Sequence, residues 1–209
     1  KMAPYHLYEY VDAFGGTFVG IDLSARPDLI DMIPELQPHE YALIKKIQTQ
    51  NPDVQVLVRE QGKTPDLVVG GYVTELKSDM GRLDFDHIVA KANEQVYEHG
   101  RRHGLGHGGV AIDLVNYDKV PVEKALQELN DFARRGRHLS LDRIFVFGKS
   151  DFKVFVRGPG KTYVSAEAAG MGPDGTQAPS PRDIHALQLL AKQGRLGPAQ
   201  TRLNALERA

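Results

Sequence analysis

The sequence predicts an α/β protein with a mixed central β-sheet flanked by helices, an N-terminal cap and a C-terminal helical appendage. Three observations lead there. Between residues 38 and 157 the apolar spacing switches repeatedly between helical and strand periods. Gly70-Gly71 separates two β-prone runs, 66–69 and 72–77, which is the signal of a two-residue hairpin turn with positive φ at both centres. The resulting order is helix, three-strand meander, helix, strand, helix, strand, and a sheet flanked by helices is the layer arrangement that satisfies it.

Residues 1–37 carry Tyr5, Tyr8, Tyr10, Phe14 and Phe18 among glycines and prolines, with a short strand at 17–23 and a short helix at 27–32. The segment reads as a cap whose aromatics pack as core. Residues 38–157 form the main unit. Residues 38–50 are helical through Tyr41, Ile44 and Ile47, with Asn51-Pro52 as the stop. Residues 54–60 alternate Val54, Val56 and Val58 with Gln55, Leu57 and Arg59, as a half-buried strand does. Beyond the hairpin, 84–102 is helical through Phe85, Ile88, Ala92 and Val96, and 109–115 is a buried apolar strand parallel to its neighbour. An amphipathic helix at 122–135 runs through Val122, Leu126, Leu129 and Phe132, and strands at 144–148 and 152–157 flank a Lys149-Ser150-Asp151 turn. Residues 158–179, rich in Gly, Ala, Pro and Ser, read as a linker. Residues 180–209 form the helical appendage, opened by Ser180 as cap and Pro181 at the first helical position.

At 209 residues the chain is long enough for a real core. A net charge of −1 excludes a uniformly basic nucleic-acid binder, so any nucleic-acid contact comes from a local patch. With no cysteine there are no disulfides, thiolate zinc sites or cysteine nucleophiles. No apolar run approaches a membrane span, and the N-terminus lacks the basic-then-apolar pattern of a signal peptide. The opening Lys1-Met2 fits a piece of a longer polypeptide, whose targeting information lies outside it.

The hairpin sets the chemistry. A two-residue turn opposes Val69 to Tyr72, Val68 to Val73, Leu67 to Thr74 and Asp66 to Glu75, and opposed residues share a face. Glu75 and Lys77, two apart, project to that same face. Adjacent carboxylates raise each other's pKa unless a cation lies between them. Mg²⁺ suits such a pair, because one or two carboxylates and several waters hold it, and a lysine beside those waters stabilises charge on phosphate. The chemistry suggested is metal-assisted phosphodiester hydrolysis. The plainer alternative is an exposed strand end with a solvated Glu and Lys.

Pro65-Asp66 followed by Glu75-Leu76-Lys77 resembles the PD-(D/E)xK nuclease superfamily. Residues 62–69 and 73–78 are most similar to the tRNase toxin domains at the C-termini of contact-dependent growth inhibition and other polymorphic bacterial toxins. The resemblance covers about residues 38–155. It implies a restriction-endonuclease-like core and a Mg²⁺- or Mn²⁺-dependent endonuclease, with Asp66 and Glu75 as metal ligands and Lys77 as catalytic amine. It also implies an acid from the preceding helix, which Glu40 matches, and a Gln or Lys from the following helix, which Gln95 matches. Glu40 precedes Ile44 and Ile47 by four and seven positions and so faces the core. Its other reading is a first-turn acid favoured by the helix dipole. For Gln95 the other reading is a surface glutamine. The resemblance alone implies RNA, tRNA above all, with DNA left open. It further implies a cognate immunity protein, and delivery within a larger secreted polypeptide to a target-cell cytoplasm; the alternative is an ordinary cytoplasmic nuclease. A non-catalytic binding or assembly module on a nuclease-like fold is the reading from a different class.

Two basic clusters, Arg101-Arg102 and Arg134-Arg135-Gly136-Arg137-His138, are the phosphate-contacting candidates, together with Lys63. His99, His103 and His107 recur every four residues, yet Gly100, Gly104 and Gly106 deny them the regular helix that a metal site would need. Gly104-x-Gly106-x-x-Gly109 follows a helix and precedes a strand, the reverse of a dinucleotide-binding turn. A phosphate-binding loop at 158–162 fails because position 155 is Phe155 where glycine is required.

Overall fold

In the computed structural model the described residues are 7–11, 17–24, 26–33, 36–57, 66–78, 84–103, 108–114, 122–136 and 138–171. Among them a sheet of nine strands lies in chain order: β1 (Tyr8–Val11), β2 (Thr17–Asp22), β3 (Val54–Leu57), β4 (Leu67–Val69), β5 (Tyr72–Ser78), β6 (Gly108–Asp113), β7 (Leu141–Phe147), β8 (Phe152–Arg157) and β9 (Tyr163–Ser165). Neighbouring strands are antiparallel except β5 with β6 and β6 with β7, which are parallel. The two parallel steps are bridged by α2 (Phe85–His103) and α3 (Val122–Arg135), because parallel neighbours need a crossover. Before β3 come a short 3-10 helix, Pro27–Met32, and α1 (Pro38–Gln50). The α/β architecture with a mixed sheet and flanking helices is therefore present.

The helices lie on opposite faces. Leu43, Ile44 and Ile47 of α1 pack with Val54, Val56, Leu67, Leu76, Ala111 and Phe145. On the other face Ile88, Val89 and Ala92 of α2 and Ala125 and Leu129 of α3 pack with Val110, Ile112 and Ile144. The period-two alternation of β6 and β7 sorts their side chains between these two cores. A smaller cluster joins Phe18, Leu57, Val68 and Val73.

Several expectations need correction. Residues 1–37 are not simply a cap, because β1 and β2 extend the sheet beyond β3. Residues 158–179 are not simply a linker, because β9 pairs with β8 and Tyr163 is buried there, its hydroxyl donating to the Leu141 carbonyl at 2.8 Å. Of the half-buried strand expected at 54–60, residues 58–60 lie outside the described residues, and all four from Val54 to Leu57 are buried, since α1 covers one face and the Phe18 cluster the other. Residues 180–209 lie outside the described residues.

Candidate active site

The turn that builds the site has the predicted geometry. Gly70 and Gly71 have φ of +52° and +85°, and the pairs Val69 with Tyr72, Val68 with Val73 and Leu67 with Thr74 are in the expected register. Buried Arg143 of β7 braces this reversal. Its guanidinium lies 4.6 Å from the ring centroids of both Tyr72 and Phe145 and donates to the Val69 carbonyl. Nothing in the sequence marks Arg143, since an arginine at a strand's start gives no sign of inward burial.

One step beyond the Leu67 and Thr74 pair lie Asp66 and Glu75. The backbone N–H of Leu76 donates to Asp66 Oδ2 at 2.9 Å, which turns the Asp66 carboxylate onto β5. Glu75 is only 5% exposed. Its carboxyl is pushed up to about 8, first by burial and then by the charge of Asp66, against the opposing pull of Lys77. The Lys77 amine is 3.4 Å from Glu75 Oε1 and donates to Gln95 Oε1 at 2.5 Å. The structure therefore gathers Asp66, just before β4, with Glu75 and Lys77 of β5 and Gln95 of α2 at one place.

Gln95 reaches β5 because α2 runs across the strands. Asp86 near its start pairs with Arg135 at the end of α3, Asn93 bonds to the segment before β7, Gln95 meets Lys77, and His99 stacks on Phe18 of β2 at 4.9 Å. Of the histidine series, His99 is a buried ring stacked on Phe18, while the His103 side chain and His107 lie outside the described residues.

Glu40 is not brought to the pair. It sits on α1, which packs on the sheet face opposite α2, and its Oε2 accepts from the Gln37 backbone N–H at 2.9 Å as part of a capping arrangement. Among the described residues no three His, Asp or Glu side chains gather to hold an ion. Two carboxylates are nonetheless enough for Mg²⁺ or Mn²⁺ when waters fill the remaining positions. The pair fits that role: Glu75 Oε2 is buried with no hydrogen-bond partner among the described residues, and a cation between the two acids would offset both the burial and the Asp66 charge that raise the Glu75 pKa.

Of the basic candidates, Arg134 and Arg135 are exposed at the end of α3 and ion-pair with Asp131 and Asp86. Arg101 and Arg102 fall in the last turn of α2, but their side chains, like Lys63 and Arg137, lie outside the described residues. Among the described residues no helix is long and apolar enough to cross a membrane. Comparison with protein-family models, with curated proteins and with solved structures gave no match.

Proposed function

We propose that the chain is a divalent-metal-dependent endonuclease with a PD-(D/E)xK-type core, cleaving RNA, with tRNA favoured, as the toxin domain of a larger bacterial polypeptide. The observation that carries the catalytic reading is the buried Glu75 carboxyl set against Asp66, with the Lys77 amine 3.4 Å away. Asp66 and Glu75 would hold Mg²⁺ or Mn²⁺, which when bound lowers the pKa of water and neutralises charge on phosphate oxygens.

The chain's own groups set up the rest. Among the described residues Lys77 uses two of its three N–H donors, on Glu75 and Gln95, and keeps the third for a phosphate oxygen or the attacking water. With side-chain exposures of 21% for Lys77 and 7% for Glu75, the lysine is the more open of the two to solvent and so to an approaching polyanion. Preference for RNA rests on the sequence resemblance alone, since nothing in the hairpin reads a sugar.

The test is cleavage of end-labelled tRNA and of plasmid DNA with Mg²⁺ and with Mn²⁺, repeated for Glu75→Gln and Lys77→Ala. The proposal expects metal-dependent cleavage by the wild type and its loss in both variants. Undiminished cleavage by the variants removes the assigned residues, and cleavage of DNA alone removes the tRNA reading.

A further inference from the structure

The flank of α2 turned away from Lys77 carries a second arrangement. Tyr97 is two residues beyond Gln95, about 200° around the helix. The residue is 36% exposed and its ring lies nearly parallel to that of exposed His138, at 5.8 Å and 12°.

His138 belongs to an irregular stretch between α3 and β7, yet that stretch is held at several points. Gly136 O accepts from Lys161 Nζ at 2.8 Å, and Leu139 O accepts from Arg157. The Asn93 side chain grips both sides of the turn: Nδ2 donates to His138 O at 2.9 Å, and Oδ1 accepts from the Ser140 N–H at 2.7 Å. Tyr97 keeps 36% of its surface open and His138 is exposed, so the pair is held in place without being sealed from solvent. What a rigid exposed ring pair supplies is a preformed flat surface. Basic side chains lie near His138 in the chain: Arg135 and Arg134, three and four positions before it, are exposed and paired with Asp86 and Asp131, and Lys161 directs its amine at the Gly136 carbonyl.

We propose that Tyr97 and His138 form a stacking step for an unpaired base of a single-stranded nucleic-acid segment lying over this flank of α2. The choice of a nucleic-acid ligand rests on the nuclease reading; the stacking geometry does not. Flat faces beside cationic side chains recognise single strands with little sequence preference, because every base has a π-face.

The experiment measures fluorescence anisotropy of a labelled ten-nucleotide oligoadenylate RNA in EDTA, so that no cleavage intervenes. The wild type is expected to bind, and Tyr97→Phe to stay within about twofold of it. Tyr97→Leu, which keeps apolar bulk but loses the ring, is expected to weaken binding roughly five- to a hundredfold. His138→Ala, which keeps the backbone carbonyl that Asn93 grips, is expected to fall in the same direction. Blunt duplex RNA is expected to bind more weakly than the single strand. Unchanged affinity in both Tyr97→Leu and His138→Ala, no binding by the wild type, or equal binding of duplex overturns the proposal. If the wild type cleaves no nucleic acid while both variants still lose oligoadenylate binding, the nuclease reading fails and this one stands. Cleavage with unchanged variant binding gives the reverse.

Discussion

Gln95 Oε1 accepts a hydrogen bond from the Lys77 amine at 2.5 Å, so the position of a side chain on β5 is set in part by a helix that reaches it across the sheet. Removing that acceptor leaves the amine with Glu75 as its remaining described partner. Gln95→Ala is expected to lower the cleavage rate about 10- to 100-fold, as loss of a supporting group typically does. Lys77→Ala is expected to lower it about a hundredfold or more. Single-turnover rates check both, with circular dichroism melting as the control that neither unfolds. An unchanged rate in Gln95→Ala assigns Gln95 to structure alone.

Stability of the metal-free protein depends on Glu75 in a definite sense. Its folded pKa of about 8 stands above the ordinary 4.5, so between these values the folded state holds a proton that the unfolded state has released. Stability from this group is therefore fully present below about pH 4.5, falls as pH rises through the window, and levels off above about 8. Urea melts in EDTA are expected to follow this slope in the wild type. Glu75→Gln, which has no proton to lose, is expected to flatten it and to be the more stable protein at pH 8.

The reversal at Gly70 is sensitive to any side chain. Its φ is +52°, and an added Cβ would lie 3.1 Å from Asn51 Nδ2 and 3.3 Å from Arg143 Nη1. Gly70→Ala is expected to cost about 1–2 kcal/mol from the backbone alone. The same change is expected to lower cleavage, because the register that opposes Asp66 to Glu75 starts at this turn. Denaturant midpoints and initial rates measured on one preparation check the pairing of the two effects.

Asn93 makes a comparable contribution elsewhere. Asn93→Ala leaves the backbone N–H of buried Ser140 without its acceptor and frees the His138 carbonyl. A loss of about 1–3 kcal/mol is expected for the unpaired buried donor. Chemical denaturation measures it, and a change below about 0.5 kcal/mol contradicts the clamp.

Much of this was written in local sequence. The hairpin was legible because Gly-Gly admits two positive φ values, and once the turn is fixed the period of two dictates every pair along it. Helix α1 was legible from the apolar spacing of Tyr41, Ile44 and Ile47 and from Asn51-Pro52 at its end. Strands β1 and β9 were not. Tyr8–Val11 and Tyr163–Ser165 are only four and three residues long, too short for alternation to register, and their strand state comes from pairing with β2 and β8. Of the site, Asp66, Glu75 and Lys77 followed from register. Gln95 was reached through the resemblance and not from its spacing, because which flank of a helix meets a strand depends on the crossing direction of α2. Glu40 was misplaced for a related reason: its core-facing position says nothing about which side of the sheet α1 covers. Asn93 carried no sequence signal, being one more polar residue on an amphipathic helix.

The central claim is that Asp66 and Glu75 hold one divalent ion between them. Calorimetric titration of Mn²⁺ into the metal-free protein at pH 7, in two buffers of different ionisation enthalpy, tests it most directly. The account predicts one ion bound per chain with release of a proton, since Glu75 must ionise to bind metal, and loss of that binding in Glu75→Gln. Binding that persists unchanged in Glu75→Gln, or no binding by the wild type, contradicts it.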